Sequence, residues 1–379
     1  MSLQSVMEAE RVEEVLVSHL KESKIVQSGP RLWTIRESSL GGRGMFAARD
    51  IQQNQLIFID SPLIIGPRRV GEHLQMCCCC YKNECPLFPC DRGCGLPVCS
   101  TDCENSPRHM NHECEYLRSL IPTCGTDWSS DLLRAVIAIR ATFLTERQRE
   151  CLAALQCVQT LTSSYETQCQ AQCINVTNPP SEKDVGLMRR VCGAFSTNAF
   201  ETVSVHDKDR SSSLRGLYPM GSLQNHCCVP NTRHHFDGEY RLYVAAAMPI
   251  PAGEEITMSY TSLFWDTISR RQFLSITKQF SCACKRCGDA TEFGSRLGAF
   301  LCASDGCSGQ LLPRDPLNTS PWVCDRCSTT INQRQIFKFI QKELSVLVPR
   351  SNYFIMNAKF RIISYYGRSK GLAWEGRSN

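Results

Sequence analysis

An α+β fold built mainly of short strands and interrupted by zinc-binding and helical insertions is what this sequence predicts, on three observations. Short apolar runs with strand character occur early (Leu32-Trp33-Thr34-Ile35 and Leu56-Ile57-Phe58-Ile59) and return late (Tyr240-Arg241-Leu242-Tyr243-Val244-Ala245). Between them, from about Asp127 to Arg190, apolar residues recur at helical spacing. Finally, the 379 residues include 25 cysteines, most of them gathered in C-x-C, C-x2-C and C-x3-C groups.

In chain order, 1–30 reads as an N-terminal helical extension: Val6, Val12, Val15, Leu16 and Leu20 give a helical rhythm from Ser5 to Lys24, expected to serve packing. Residues 31–76 hold the first strands around Leu40-Gly41-Gly42-Arg43-Gly44-Met45-Phe46, a glycine-rich turn. The cysteine block 77–114 interrupts them. Residues 115–195 form a helical insert, with Leu132, Leu133, Val136, Ile137, Ile139 and Phe143 on one stripe and Leu152 to Leu161 behaving alike. Strands resume over 196–262, where Pro249-Ile250-Pro251-Ala252-Gly253 is a turn before Glu255-Ile256-Thr257-Met258. Two further cysteine segments follow, 263–288 and 289–328. The tail 329–379 is amphipathic (Ile336, Phe337, Phe339, Ile340, Leu344, Leu347), breaks at Pro349 and resumes apolar from Tyr353 to Tyr366; its polar end, Gly371 to Asn379, reads as unfinished or alternatively spliced. No internal repeat is visible.

Composition narrows the class. A hydrophobic content of 42% with 21% charge is ordinary for a globular protein. No apolar run approaches a membrane span, so no membrane partner is expected, and Met1 to Lys24 lacks the basic flank and apolar stretch of a secretion signal. An intracellular protein is expected. A net charge of +5 without a dense Lys/Arg block predicts no direct sequence-specific nucleic-acid binding.

Clustered cysteine without a secretion signal reads as zinc binding rather than as a disulfide scaffold. Cys77-x2-Cys80, Cys90-x3-Cys94, Cys99-x3-Cys103 and His109-x4-Cys114 supply four ligand pairs, enough for two tetrahedral zincs. His112 competes with His109 as the imidazole ligand; His109 is preferred because His112-x-Cys114 would crowd the ion. Pairs in such an order commonly interleave, and the spacing leaves the pairing open. Cys282-x-Cys284-x2-Cys287 offers three ligands, and Cys228 is the candidate fourth. Cys302, Cys307, Cys324 and Cys327 form a ribbon-like set for another zinc. These assignments use 15 of the 25 cysteines, and the others are expected to act as small buried hydrophobes.

Two polar islands remain: Asn225-His226-Cys227-Cys228-Val229-Pro230-Asn231 and Gly253-Glu254-Glu255-Ile256-Thr257-Met258-Ser259-Tyr260. They set an amide, an imidazole, thiols and a phenol between apolar strands, which is the composition of a site. The first resembles the Asn-His-Ser-Cys-x-Pro-Asn signature, and the second the Gly-Glu-Glu-x4-Tyr signature, of the SET-and-MYND lysine methyltransferase family. Gly42-Arg43-Gly44-Met45-Phe46 resembles its first cofactor motif, Asn198-Ala199-Phe200 a later one, and Cys77 to Cys114 its MYND double-zinc finger. The ribbon after the SET region is similar to that of the arthropod-type branch.

That resemblance implies a mainly β SET fold of small sheets with a knot-like core, split into an N-terminal part (31–76) and a core (196–262). The MYND finger and helical insert lie between, followed by a post-SET zinc segment (263–288), the ribbon and C-terminal helices. It implies S-adenosylmethionine-dependent methylation of a protein lysine, histone or non-histone, in transcription or chromatin regulation in the nucleus, the cytoplasm or both. Tyr260, Asn225 and His226 are the implied catalytic residues; Gly42, Arg43, Gly44, Asn198, Asn225, His226, Tyr260 and Phe280 would bind the cofactor. The chemistry suits them. Transfer of a sulfonium methyl needs a neutral amine held in line, so positioning outweighs acid–base power. Glycines let backbone approach the cofactor, Arg43 would meet its carboxylate, Phe280 would stack on its adenine and the Tyr260 hydroxyl would orient the amine.

Two departures stand out. Cys227 replaces the signature serine, and Lys278 stands where the family carries an aromatic wall of the lysine channel. Lys278 and the short tail favour an alternative of another class: a SET scaffold whose finger docks proline-containing peptides as an interaction adaptor.

Overall fold

The computed structural model describes residues 7–25, 29–40, 42–68, 75–122, 127–157, 176–205, 211–318 and 320–332. The tail expected to be helical therefore lies outside the described residues from 333 onward, as do Val6 and the end of the Leu152 to Leu161 stretch. The chain divides into two compact units, Met1–Asn225 with Asn231–Ile256, and His226–Pro230 with Thr257–Asn379.

In the first unit the rhythm of the N-terminal segment becomes the helix Ala9–Glu22, which buries Val12, Val15, Leu16 and His19. His19 Nε2 lies 2.9 Å from Asp60 Oδ1, and Asp60 Oδ2 accepts the backbone N–H of Met220 at 2.8 Å and of Gly221 at 3.1 Å. A carboxylate with no exposure is thus satisfied on both oxygens, and the helix is tied to the strands by a polar bond as well as an apolar face. Strands Trp33–Glu37 and Arg43–Ala47 pair antiparallel, Trp33 opposite Ala47 and Glu37 opposite Arg43. Gly42, at φ +60, closes the turn between them, and its carbonyl accepts the Ser38 N–H at 2.8 Å.

Two three-stranded sheets complete the strand body. One is ordered Thr232–Phe236, Leu242–Ala246, Leu56–Asp60, and the other Ile64–Pro67, Ser211–Leu217, Phe200–Val205. Both join strands from before and after the insertions, so the long interruptions are insertions into a single strand body. Leu242, Val244 and Ala246 alternate inward, the period-two burial expected of a half-covered sheet. Of the expected Glu255–Met258 strand, only Thr257–Met258 is a regular strand; Glu255 makes an isolated bridge to Phe46.

The insert contributes helices Ser130–Arg140, Glu146–Ala154 and Glu182–Asn198. Each starts at a hydroxyl cap: Ser129 accepts from Leu132 N, Thr145 forms a capping box with Gln148, and Ser181 accepts from Asp184 N. The finger does not hang free. Cys77, Cys94 and Leu96 share a buried cluster with Ile65 of the sheet and with Leu133 and Val136 of the insert. Arg140 ties the same elements, donating to Cys78 O at 2.9 Å, Ile65 O at 2.7 Å and Glu113 at 2.6 Å.

The second unit holds the helix Thr267–Lys278, an element the sequence reading left unassigned. Asp266 caps it, accepting from Ser269 N at 2.8 Å, and Gln279 ends it in the left-handed conformation at φ 60. Beyond it a four-stranded antiparallel ribbon (Phe300–Leu301, Gln310–Pro313, Trp322–Cys324, Thr330–Ile331) packs on Trp322, Leu311 and Cys324. Among the described residues, no helix is long and apolar enough to cross a membrane.

Candidate metal centres and candidate active site

Four groups of four side chains bring their ligand atoms within 4.8 Å of one another: Cys77, Cys80, Cys99 and Cys103; Cys90, Cys94, His109 and Cys114; Cys228, Cys282, Cys284 and Cys287; and Cys302, Cys307, Cys324 and Cys327. Sulfur spacings decide what they suit. A zinc–thiolate tetrahedron with bonds of about 2.3 Å has edges of about 3.8 Å, whereas a disulfide needs about 2.05 Å. The observed Sγ separations are 3.5 Å for Cys80–Cys99, 3.8 Å for Cys99–Cys103, 3.9 Å for Cys90–Cys114, 3.9 Å for Cys228–Cys282 and 3.7 Å for Cys307–Cys324. The donor sets therefore fit zinc.

The finger's pairs interleave in space, the first with the third and the second with the fourth. His109 is the imidazole in the group, its Nε2 lying 3.4 Å from Cys90 Sγ and 3.7 Å from Cys94 Sγ. His112 points elsewhere, its Nδ1 lying 3.1 Å from the Arg108 carbonyl at a backbone kink.

The third group has an unusual setting. Arg270, with no solvent exposure, donates from Nε to Cys228 Sγ at 3.2 Å and from another nitrogen to Cys287 Sγ at 3.7 Å. Glu292 pairs with Arg270 at 2.6 Å and with Arg286 at 3.2 Å. Four thiolates on one dication would leave a buried centre doubly negative, and the two arginines, held by one glutamate, offset part of that charge. Neither Arg270 nor Glu292 is marked by its sequence neighbours. The one usable signal was Asp266 as a helix cap, which puts Arg270 in the first turns of a helix beside the cysteine trio.

Cys228 connects this group to the first island. His226 Nδ1 accepts the backbone N–H of Tyr260 at 2.9 Å, and its Nε2 lies 3.2 Å from Cys228 Sγ. A neutral ring accepting on Nδ1 carries its hydrogen on Nε2, directed at the sulfur. Burial holds this imidazole low, at about 4, with Arg270 adding to the depression against the opposing pull of Cys284. The rings of Tyr260 and Phe280 stand 5.3 Å and 6.0 Å from His226, and both side chains pack on the cluster of Cys228, Leu274, Cys282 and Cys287. Lys278 Nζ lies over the Tyr260 ring, 5.5 Å from its centre. The neighbouring Cys284 thiol, and after it burial, push the Cys227 thiol up.

In the first unit Asn225 Nδ2 donates to Arg43 O at 3.1 Å and to Glu255 Oε1 at 2.8 Å. Glu255 also accepts from Ser38 Oγ at 2.8 Å, and Asn231 Nδ2 donates to the Glu255 carbonyl at 2.8 Å. Glu255 thus organises both ends of the island, a role the sequence reading missed. Both amide hydrogens of Asn225 are spent inside the protein.

Three residues expected at the cofactor have partners within the protein. Arg43 was expected to meet a carboxylate, but its guanidinium donates to Met7 O at 2.9 Å and Ala154 O at 2.7 Å, and burial lowers its pKa. Gly44 was expected to open the backbone to a cofactor; a Cβ there would lie 2.9 Å from Asn225 Nδ2, so the missing side chain makes room for Asn225 and Glu255. Gly42 differs, since a Cβ there would meet nothing within 4 Å. The Asn198 amide, at a helix end, donates to Gln156 O at 2.7 Å and Ala194 O at 2.9 Å, fastening the insert.

What the geometry defines is a small-sheet α+β protein with four cysteine-rich groups of metal-ligand geometry among the described residues, one of them joined through a histidine to a tyrosine. The SET domain family matches this chain over residues 42–261. The "SET domain-containing protein SmydA-8, isoform B" of Drosophila melanogaster is 35% identical over 366 residues, spanning 87% of this chain and 80% of that one. "Histone-lysine N-methyltransferase ASHR1" of Arabidopsis thaliana is 26% identical over 327 residues, with 82% of this chain and 67% of that one covered. "Histone-lysine N-methyltransferase SMYD3" of Homo sapiens is 26% identical over 267 residues, with 65% and 59% covered. The chain belongs to the SET domain family, in its SET-and-MYND group.

Proposed function

We propose that this protein is a zinc-containing, S-adenosylmethionine-dependent protein-lysine N-methyltransferase acting on a histone or non-histone protein. The observation that carries the reading is the bond from the Tyr260 backbone to His226, itself seated against Cys228. It fixes the one phenol of the signature through a neutral imidazole and a metal-type centre. S-adenosylmethionine would supply an electrophilic methyl group. Tyr260 would orient the incoming amine through its hydroxyl, Asn225 Oδ1 would accept from the cofactor's amino group, and Phe280 would offer a face to its adenine. Gly42, with open space at its α-carbon, would let the protein backbone approach the cofactor.

The zinc ligands are the sixteen side chains of the four groups. Two zincs belong to the finger (77–114), one to the post-SET segment (263–288) and one to the ribbon (289–328). Names of relatives such as histone-lysine N-methyltransferase SMYD3 support the reaction class. Chromatin or transcriptional regulation in the nucleus, cytoplasm or both follows as the setting. A second reading rests on Lys278: a cation on the Tyr260 face opposes entry of a substrate ammonium, which favours an adaptor working through peptides at the finger. Calorimetry with zinc-loaded protein separates them. Saturable binding of S-adenosylmethionine supports the enzyme, and its absence supports the adaptor.

A further inference from the structure

Lys278 has a place that the reaction itself makes meaningful. It is the last residue of the helix Thr267–Lys278, and the left-handed Gln279 turns the chain immediately after it. Phe280 then packs beside Tyr260 on the Cys228 and Cys282 cluster. Two residues further, Cys282 joins the third cysteine group. The lysine is therefore delivered by a helix end on one side and a metal-ligand segment on the other, and its half-buried side chain lays its ammonium 5.5 Å from the centre of the Tyr260 ring. That is the cation–π separation at which an aromatic face holds a lysine head group. A substrate lysine in a methyltransferase of this type must be brought to the same phenol.

The geometry points to Lys278 as an internal methyl acceptor, modified in cis by the protein's own site. This rests on the methyltransferase reading above and goes beyond it by naming a modification site. The balance is simple. Nζ sheds a proton to water, and its lone pair forms the N–CH3 bond. The S–CH3 bonding pair stays on sulfur, S-adenosylhomocysteine leaves, and Nζ becomes a methylammonium. A lysine already held at the phenol has no encounter to make, so its methylation is first order in protein.

The test uses the full zinc-loaded chain with methyl-labelled S-adenosylmethionine and no added substrate, followed by peptide mapping. Label on Lys278, at a rate per molecule independent of protein concentration and absent from that peptide in Lys278→Arg, is the expected result. A second readout needs no turnover. Reductive methylation with deuterated formaldehyde and cyanoborohydride should modify Lys278 more slowly than the exposed Lys285, and Tyr260→Ala should raise the Lys278 rate several-fold. An unlabelled Lys278 in protein that binds the cofactor and methylates an added peptide overturns the inference and leaves the enzyme reading standing. Label that accumulates faster per molecule at higher protein concentration overturns it too, since transfer is then between molecules. Protein that binds no cofactor overturns both readings. A Lys278 that reacts as fast as Lys285 in the wild type removes the contact on which the inference stands.

Discussion

Replacing Arg270 with methionine should damage the third cysteine group while leaving every ligand in place. Arg270 has no exposure and spends its guanidinium on Cys228 Sγ at 3.2 Å, Cys287 Sγ at 3.7 Å, Thr267 Oγ1 at 2.9 Å, Glu292 at 2.6 Å and the Trp265 carbonyl. Methionine fills the volume but leaves the buried Glu292 with Arg286, at 3.2 Å, as its remaining cation beside the Thr267 N–H at 2.9 Å. Removing one side of a buried ion pair costs about 3–5 kcal/mol. Because Arg286 remains, the lower end applies, roughly 3 kcal/mol. Loss of the two N–H···S bonds should weaken zinc retention by roughly 10- to 100-fold. The assay is chelator competition with a chromogenic zinc indicator, run beside urea unfolding in excess zinc. The double variant with Glu292→Gln should lose less than the sum of the two single variants, because the second change removes the stranded charge. Unchanged zinc retention and an unchanged unfolding midpoint in Arg270→Met would refute the charge-balance argument.

Other consequences are as direct. Cys228→Ser should lower zinc content by one ion per chain and weaken S-adenosylmethionine binding, because His226 loses its sulfur neighbour; unaltered zinc content by plasma emission would remove Cys228 from the ligand set. Cys99→Ser should release one finger zinc and also lower the thermal midpoint of the strand body, since finger and insert share a core; a midpoint equal to wild type would contradict that coupling. Arg43→Met should destabilise the protein by about 1.5–3 kcal/mol, the scale of a charged hydrogen-bond donor, with cofactor affinity changed little. A large affinity loss at unchanged stability would restore Arg43 as a ligand contact. Glu255→Ala should free the Asn225 amide and reduce cofactor affinity, measured by calorimetry, and an unchanged affinity would show that Asn225 orientation does not depend on Glu255.

Cysteine spacing was the most legible part of the sequence, for a physical reason: ligands two to four residues apart must converge on one ion, so the chain carries much of the geometry locally. Which pairs join is a matter of folding, and the interleaving of Cys77 with Cys99 and of Cys90 with His109 became visible only in three dimensions. Strand and helix positions were legible where burial is one-sided, as in Leu242–Ala246 and Ala9–Glu22. They were not where the pattern is weak, as in Thr267–Lys278, whose buried face includes an arginine and a threonine that read as surface residues. The surroundings of Arg43, Gly44 and Asn198 were hidden for a related reason: a motif fixes where a residue lies, but its neighbours here, Met7, Ala154, Glu255 and Gln156, come from distant segments.

The central claim is that Tyr260, set by His226 and the Cys228 centre, serves methyl transfer to lysine. Zinc-loaded wild type and Tyr260→Phe, incubated with methyl-labelled S-adenosylmethionine and a panel of lysine-containing proteins, test it most directly. The account predicts label on lysine with the wild type and a large loss, of roughly 100-fold or more, when the hydroxyl is removed. Equal background in both proteins would contradict it.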